Sequence, residues 1–508
     1  RVVMVRTSLA IASAVLAMSA AEPPRSLLPR SASLEQDDVS WLHEPSEAAL
    51  HAGRHRVNYN RRRTEALTSE NTAPIRIAVD YQSLYEETAP AYSACFAEGA
   101  WFARGLPDGG LTPPADGVPT CVRGANEWHS TDCWLKCEAD DLITQDGRDI
   151  VIQIVDTVVA EATRYFALQP VSDKLKFVRS GGRYQKALAA KGYSPASACA
   201  ADCTLLNGVA VESSYCDGGV TADAVLSITK PAVITGIGGT GTYCQSDTRG
   251  RPTWLVFSWI QSIASLKLTG SNTIATYVAA YRGLVLHELI HALGFSNGMF
   301  NMARDATGAR KGLLSLETVD KDTADEDKVW HFKKGRAYEA ALTFFRCLDE
   351  TEWQGLPLMG VPEVGRASHC EVGRASHWET RVMRDDVMSY GKGVEAVSEL
   401  TLAAMEDLGF YLANYSAAQC MSWGHFQGCG FVTSRCATIA NDQLARPTAA
   451  SACQGSPWWT IYPNALLESK CGAEGKCGDD PCNNGCSGYS DPAALGLTGD
   501  KVCNAMCF

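Results

Sequence analysis

The sequence predicts an α+β fold in which a mixed, twisted sheet packs against long helices. Three short runs are rich in β-branched and aromatic residues and are bounded by Gly, Pro or Asp, as strands are: 74–80, 225–229 and 254–260. Within residues 141–168, apolar positions recur at three–four spacing from Ile150 onward, which predicts a helix. Strands and helices in this order indicate an α+β arrangement.

A second helix is predicted from Thr273 to Leu293. This run is almost uncharged and places apolar residues around much of a helix, so we expect it to lie in the core. Gly294 follows the run and supplies a helix stop.

The same run contains the letters H-E-L-I-H at 287–291. On a helix, His287 and His291 lie one turn apart on one face, where two neutral imidazoles can bind one Zn²⁺ at about 2.0–2.1 Å each. Glu288 lies beside the metal and can take a proton from a water that zinc has acidified. This is the H-E-x-x-H arrangement of zinc peptidases.

The motif fixes only three positions, so it can also occur by chance in a chain of this length. The alternative is a buried amphipathic helix with two satisfied histidines. A core helix has little reason to carry His, Glu and His together unless something compensates for their burial. The surroundings therefore favour a zinc site.

Composition restricts the class of protein. The chain has 508 residues and a net charge of −12 at pH 7, which argues against a nucleic-acid partner. Its 20 cysteines predict a disulfide framework made in an oxidising compartment. Zinc ribbons would need paired C-x-x-C units, whereas close pairs such as Cys133 and Cys137 are spaced four apart.

The N-terminal region reads as targeting sequence. After Met4 come Arg6, an apolar run at 9–18 and three small residues at 19–21, which together predict a signal peptide over 4–21. We therefore expect a secreted, extracellular or cell-surface protein. The sequence shows no transmembrane run and no lipid-anchor signal.

Residues 22–73 are interpreted as a propeptide with a processing site at Arg61–Arg63, and a disordered linker is the alternative. A propeptide thiolate can occupy the open position of a zinc site, but the first cysteine of this chain is Cys95. Latency would therefore use another group, such as His51 or His55, or be absent.

A long charged segment follows the predicted helix that carries His287 and His291. It includes a predicted helical part around Val329–Phe345. A short tandem repeat follows, E-V-G-R-A-S-H-C at 363–370 and E-V-G-R-A-S-H-W at 371–378. We interpret it as a loop duplication that supplies two candidate histidines, His369 and His377.

Four stretches are informative when they are taken together: H-E-L-I-H-A-L-G-F-S at 287–296, S-H-W-E-T-R-V-M-R-D-D-V-M at 376–388, A-M-E-D-L-G-F-Y at 404–411 and M-S-W-G-H-F-Q-G-C-G-F at 421–431. Together they resemble the leishmanolysin-type surface metalloproteases, and the likeness covers about residues 75–440. Most metzincins carry the third zinc ligand six residues after the second, where this chain has Asn297; this family delays that histidine by a long insertion.

The resemblance implies a metzincin-like catalytic domain with one Zn²⁺ per chain and polypeptide substrates. His287, His291 and His377 would bind the metal, Glu288 would act as general base, and Met388 would form the Met-turn below the ligands. His369 would be a spare loop histidine. A third ligand at Glu317 is the weaker alternative, because that residue has no Met-turn context. The family's propeptide cysteine has no counterpart, since Val57 stands in the nearest similar context.

The resemblance also divides the chain. Residues 74–298 would form the N-terminal catalytic subdomain with the zinc helix, and 299–440 the insertion and a mainly helical or irregular C-terminal subdomain. Residues 441–508 would be a small cysteine-rich region. That region motivates the rival hypothesis, an adhesion or interaction protein on the same scaffold with little or no activity. Peripheral association with the membrane or cell surface stays open.

Overall fold

The computed structural model describes residues 67–433 with internal gaps. The gaps are 68, 90–91, 105–111, 122–132, 178–197, 202–208, 233–237, 248, 304–309, 319–327, 348–352, 354, 360–375, 390–394, 420 and 422. The predicted signal peptide, nearly all of the predicted propeptide, the first repeat copy with His369, and the cysteine-rich region at 441–508 lie outside the described residues.

The secondary structure alternates between short strands and helices of varied length. The strands are β1 Ala73–Pro74, β2 Ile77–Asp80, β3 Trp101–Arg104, β4 Cys133–Lys136, β5 Phe166–Leu168, β6 Ala198–Ala201, β7 Val209–Glu212, β8 Ala224–Thr229, β9 Gly239–Ser246, β10 Pro252–Trp259, β11 Leu314–Thr318, β12 Lys328–Phe332, β13 Leu356–Pro357 and β14 Leu412–Ala413. The helices are α1 Gln145–Ala162, α2 Ser213–Asp217, α3 Ile274–Leu293, α4 Asn297–Met302, α5 Arg336–Phe345, α6 Thr380–Met383, α7 Glu399–Asp407 and α8 Cys429–Thr433.

A four-stranded mixed sheet in the order β2-β8-β10-β9 supports the first half. Strand β8 is parallel to β2 and to β10, and β9 is antiparallel to β10 at the edge. All residues of β8 and β10 are buried, which explains their nearly continuous apolar sequences. The strands predicted at 225–229 and 254–260 and the α+β class are confirmed.

The prediction of one continuous strand at 74–80 is wrong, because two separate strands, β1 and β2, cover this region. Strand β1 pairs with β5, whereas β2 pairs with β8, so the chain passes from one sheet to another between them. The backbone N–H of Arg76 donates to Oδ2 of Asp223 at 2.9 Å instead of to a strand. Between the two sheets, the Asp223 side chain thus takes the place of a neighbouring strand as the hydrogen-bond partner of the backbone.

The helix predicted over 141–168 is confirmed only for α1. The Thr144 side chain accepts a hydrogen bond from Gly147 N and starts the helix at Gln145. Beyond Ala162 the chain turns, and 166–168 form β5, which pairs with β1 and β14. Pairing with distant segments overrides the helical periodicity there.

The predicted central helix is α3. Thr273 caps its N-terminus by accepting from Thr276 N, and Gly294 ends it with φ +125°. Helix α3 packs against α1, β9 and β10. One hydrophobic cluster joins these elements to α5 and α7 of the second half, so both halves share a core.

The second half contains more sheet than predicted. Residues 328–332 form β12 in a three-stranded antiparallel sheet with β11 and β13, so the helix expected from Val329 is wrong over its first residues. Helix α5 begins only after Gly335, whose φ is +91°. Gly335 suits that turn because glycine adopts positive φ at little cost.

Disulfides join segments in both halves: Cys95–Cys137, Cys121–Cys133 and Cys347–Cys429. Such bonds fit an extracellular protein. Within the described ranges, no helix combines the length and apolar character needed to cross a bilayer.

Candidate metal centre

The three predicted histidines meet in one place. On α3, Nε2 of His287 lies 3.0 Å from Nε2 of His291. The Nε2 atom of His377 lies 3.0 Å from each of them, although it is 86 residues from the nearer one in sequence. The expectation that a far-downstream imidazole folds back to complete a tripod is confirmed in its geometry.

Backbone carbonyls orient the two helical imidazoles. Nδ1 of His287 lies 2.5 Å from the carbonyl oxygen of Val387, and Nδ1 of His291 lies 2.8 Å from that of Phe295. A carbonyl oxygen can only accept, so each Nδ1 carries the proton and donates it. Each Nε2 therefore presents a bare lone pair to the centre of the tripod.

The donor set fits a divalent metal ion. Burial lowers the pKa of His287 to about 4 and that of His291 to about 3, so both rings are neutral at pH 7. Neutral nitrogen lone pairs repel each other at this spacing unless a cation lies among them. Zinc prefers such nitrogen ligands at about 2.0–2.1 Å, which the 3.0 Å triangle accommodates.

The three histidines thus form a metal site typical of zinc metallopeptidases. Among the described residues, the ligand group contains these three side chains and no cysteine or carboxylate. A structural zinc site is usually closed by a fourth protein ligand, whereas a catalytic one keeps a position open. The composition of the group matches the catalytic kind.

Glu288 lies between the helix and the edge strand β9. It is 8% exposed, and the backbone N–H of Gly241 donates to its carboxylate. A Cβ added to Gly241 would overlap the Glu288 carbonyl, so only glycine allows β9 to approach α3 this closely. Burial raises the pKa of Glu288 to about 8; a bound cation would oppose that shift by stabilising the carboxylate.

Contacts on both sides fix the segment that carries His377. Met359 N donates to the His377 carbonyl at 2.9 Å, and Trp378 N donates to the Met388 carbonyl at 3.0 Å. The buried Trp378 indole packs edge-on against Phe295, which follows the helix stop. The position of His377 therefore depends on tertiary contacts.

Met388 lies in a tight turn that connects these pieces. It is fully buried, and its neighbour Val387 supplies the carbonyl that orients His287. The structure thus places the predicted Met-turn residue beside the ligand-bearing segments.

The Asp386 carboxylate holds this turn together. It accepts from Met388 N at 2.7 Å, from Ser398 Oγ at 2.5 Å and from Thr401 Oγ1 at 2.8 Å. Trp378 Nε1 in turn donates to Thr401 Oγ1 at 2.7 Å, which links the network to the residue after His377.

Sequence reasoning missed Gly241 and Asp386. Glycines at 239 and 241 within a strand do signal a close backbone approach. A carboxylate two residues before Met388 carried no readable signal, because its partners are distant in sequence. The alternative ligand Glu317 lies in β11 opposite Val329, and only its backbone is described.

Comparison with known proteins agrees with this geometry. The family model described as leishmanolysin, peptidase family M8, matches residues 116–446, more than half of the chain. That span contains His287, His291 and His377, and also Met388.

Individual relatives match over the same region. A leishmanolysin homolog of Crithidia fasciculata is 26% identical over 308 residues, covering 60% of this chain and 39% of that protein. Leishmanolysin of Leishmania chagasi is 24% identical over 302 residues, covering 59% and 42%. The ciliated left-right organizer metallopeptidase of Mus musculus is 29% identical over 215 residues, covering 42% and 27%. The chain spans about two fifths of the length of the leishmanolysins it matches.

Proposed function

This chain belongs to the leishmanolysin family of metallopeptidases, and from that premise we propose that it is a secreted or cell-surface zinc endopeptidase acting on polypeptides. The observation that carries the proposal is the triangle of Nε2 atoms, 3.0 Å on each side, with Glu288 next to one of its corners. Disulfides support the extracellular location.

His287, His291 and His377 would hold one Zn²⁺, with Val387 and Phe295 fixing the tautomers of the two helical ligands. Bound there, zinc supplies Lewis acidity, which acidifies water and polarises a peptide carbonyl. Met388 would line the floor of the site with an apolar side chain.

Glu288 would move the proton. Its carboxylate takes a proton from the attacking water and gives it to the amine that leaves when the peptide bond breaks. The Gly241 N–H holds that carboxylate in place from β9.

The substrate would lie along β9. This strand is at the edge of its sheet and packs against α3, the helix that carries two of the three histidines. An extended polypeptide can add to such an edge as an extra strand, with main-chain hydrogen bonds that do not depend on its sequence.

The direct test is Glu288→Gln in the purified protein. The amide keeps the size of the side chain but cannot accept the proton, so we expect hydrolysis of an unfolded protein substrate to fall by about 10²–10⁴-fold. Zinc content should stay at about one per chain. Glu339→Gln, on the exposed face of α5, is the matched control and should keep activity.

Full activity in Glu288→Gln would contradict the proposed role. Wild-type protein that binds zinc and cleaves nothing would instead favour the rival hypothesis, an interaction protein on this scaffold.

A further inference from the structure

A path of hydrogen bonds leaves α3 and returns to it further along. It starts at Arg282 of α3, whose Nε donates to Oε2 of Glu161 on α1 at 2.6 Å and whose Nη2 donates to Oε1. Tyr165, which follows α1, donates its hydroxyl to the same Oε1 at 2.5 Å. Tyr165 is buried, and the Arg282 and Glu161 side chains are 16% and 10% exposed, so these bonds lie largely out of water. Hydrogen bonds in such surroundings are stronger than those in water.

The buried Gln419 side chain continues the path. Its Nε2 donates to the Tyr165 hydroxyl at 3.1 Å, and its Oε1 accepts from Val397 N at 2.9 Å. The backbone N–H of Gln419 donates to the Val397 carbonyl at 2.8 Å, so the two residues are paired twice. A backbone N–H can only donate, so Oε1 must face Val397 and Nε2 must face Tyr165. The amide therefore has one orientation that satisfies both of its ends.

The path returns to α3 through the segment that orients His287. The carbonyl of Ala396, the residue before Val397, accepts from Val387 N at 2.8 Å. The Val387 carbonyl in turn lies 2.5 Å from Nδ1 of His287, which is five residues after Arg282 on α3. We call this closed path the hydrogen-bond ring; it consists of Arg282, Glu161, Tyr165, Gln419, Val397, Ala396, Val387 and His287.

The hydrogen-bond ring determines where the Val387 carbonyl lies relative to α3. The bonds of Asp386 connect parts of the second half to each other, whereas the hydrogen-bond ring connects the same segment to α1 and α3. A histidine that donates its Nδ1–H to a fixed acceptor has a fixed tautomer and a fixed imidazole orientation. If the Val387 carbonyl is displaced, Nε2 of His287 therefore no longer points to the centre of the tripod.

We propose that Tyr165 and Gln419 are positioning residues for the zinc ligand His287. The inference rests on the proposed peptidase function, which makes His287 a ligand. Gln419 acts through the backbone of Val397, whose preceding residue holds the Val387 segment. Tyr165 keeps the Gln419 amide in place and ties it to the ion pair between α1 and α3. No local sequence pattern signals this role, because the hydroxyl and the amide are 254 residues apart.

The first test is Tyr165→Phe in the full chain, which removes one hydroxyl and keeps the aromatic packing. We expect zinc affinity, measured by chelator competition, to fall about 10-fold, the lower end for groups outside the first shell. Tyr415→Phe is the matched control, because its hydroxyl donates to Glu406 at 2.6 Å outside the hydrogen-bond ring. The control should lose a similar free energy of unfolding and keep its zinc affinity. Equal losses of zinc affinity in both variants, or none in Tyr165→Phe, would overturn the inference.

A double variant tests whether the path acts as a closed ring. Gln419→Met opens it at a second link with a side chain of similar size, and should weaken zinc binding by a similar factor. Opening a ring twice removes little more than opening it once. We therefore expect Tyr165→Phe with Gln419→Met to lose about 10-fold in zinc affinity, where two independent sites would lose about 100-fold. A loss near 100-fold would contradict the closed ring.

A spectroscopic measurement separates failure of the inference from failure of the proposed function. In zinc-loaded protein with ¹⁵N-labelled histidine, the NMR shift of each Nδ1 proton reports the length of its hydrogen bond and needs no hydrolysis. In Tyr165→Phe we expect the His287 proton to move upfield as its bond to Val387 lengthens. The His291 proton, which is donated to Phe295, should stay in place. This result supports the inference even if the wild type cleaves no peptide, whereas an unmoved His287 proton overturns it and leaves the peptidase function intact.

Discussion

The α3 helix and the segment 376–389 bring histidines to the same candidate metal site by different physical routes. His287 and His291 are adjacent because a helix makes them so, and the helix forms from local signals: a Thr273 cap, an apolar run and a Gly294 stop. His377 has no such local frame, and hydrogen bonds to distant residues place it. Local sequence therefore positions two of the three histidines, and tertiary contacts position the third.

Removing a histidine ligand from either region should have the largest effect on zinc affinity. We expect His377→Ala to lower zinc affinity by more than 100-fold, the upper end for outer-shell partners, because one of three protein bonds to the metal is lost. His291→Ala should match it, since the metal does not distinguish how a ligand was positioned. Competition with a chelator of known affinity measures both. Near-wild-type affinity in His377→Ala would remove the second region from the site.

Removing hydrogen bonds from the second region, with all three histidines kept, should have an intermediate effect on zinc affinity. Asp386→Ala deletes the carboxylate that holds Met388 N, Ser398 and Thr401. We expect zinc affinity about 10–100-fold weaker, as for other outer-shell losses, with α3 still folded. The same chelator competition measures it, with Asp140→Asn at an exposed position as control. Affinity equal to wild type would show that the Asp386 network is not needed to hold His377 in place.

The smallest effect on zinc is expected at Asp407. This residue ends α7, outside both regions, and its carboxylate caps α5 by accepting from Arg336 N at 2.8 Å and Ala337 N at 2.9 Å. Asp407→Asn should weaken that cap and lower the free energy of unfolding by about 1–2 kcal/mol while zinc affinity stays unchanged. Denaturant unfolding and chelator competition on one sample separate the two quantities.

Asp407 also predicts a pH dependence. Burial raises its pKa from 3.8 to about 7, so between these values the folded state binds more protons than the unfolded state. The contribution of this carboxyl to the free energy of unfolding is therefore present at low pH and is lost as pH rises through about 7. The free energy of unfolding of the wild type minus that of Asp407→Asn should become smaller from pH 4 to pH 7. An increase over this range would contradict the direction of the pKa shift.

What could be predicted follows the same division. The α3 helix, strands β8 and β10 and the histidine pair were readable because periodicity and residue type report local structure. The partner His377 came from the family resemblance, since no local pattern links residues 86 positions apart. Failures fell where distant partners decide: 166–168 joins β1 and β14, and 328–332 joins β11 and β13, despite helical patterns.

X-ray absorption at the zinc edge tests the central claim most directly, because it counts the ligands of the bound metal. For the zinc-loaded protein we predict three imidazole nitrogens at about 2.0–2.1 Å and one light non-protein ligand. His377→Ala should show two imidazoles. A wild-type spectrum with only two imidazoles, or with sulfur in the first shell, would contradict the tripod.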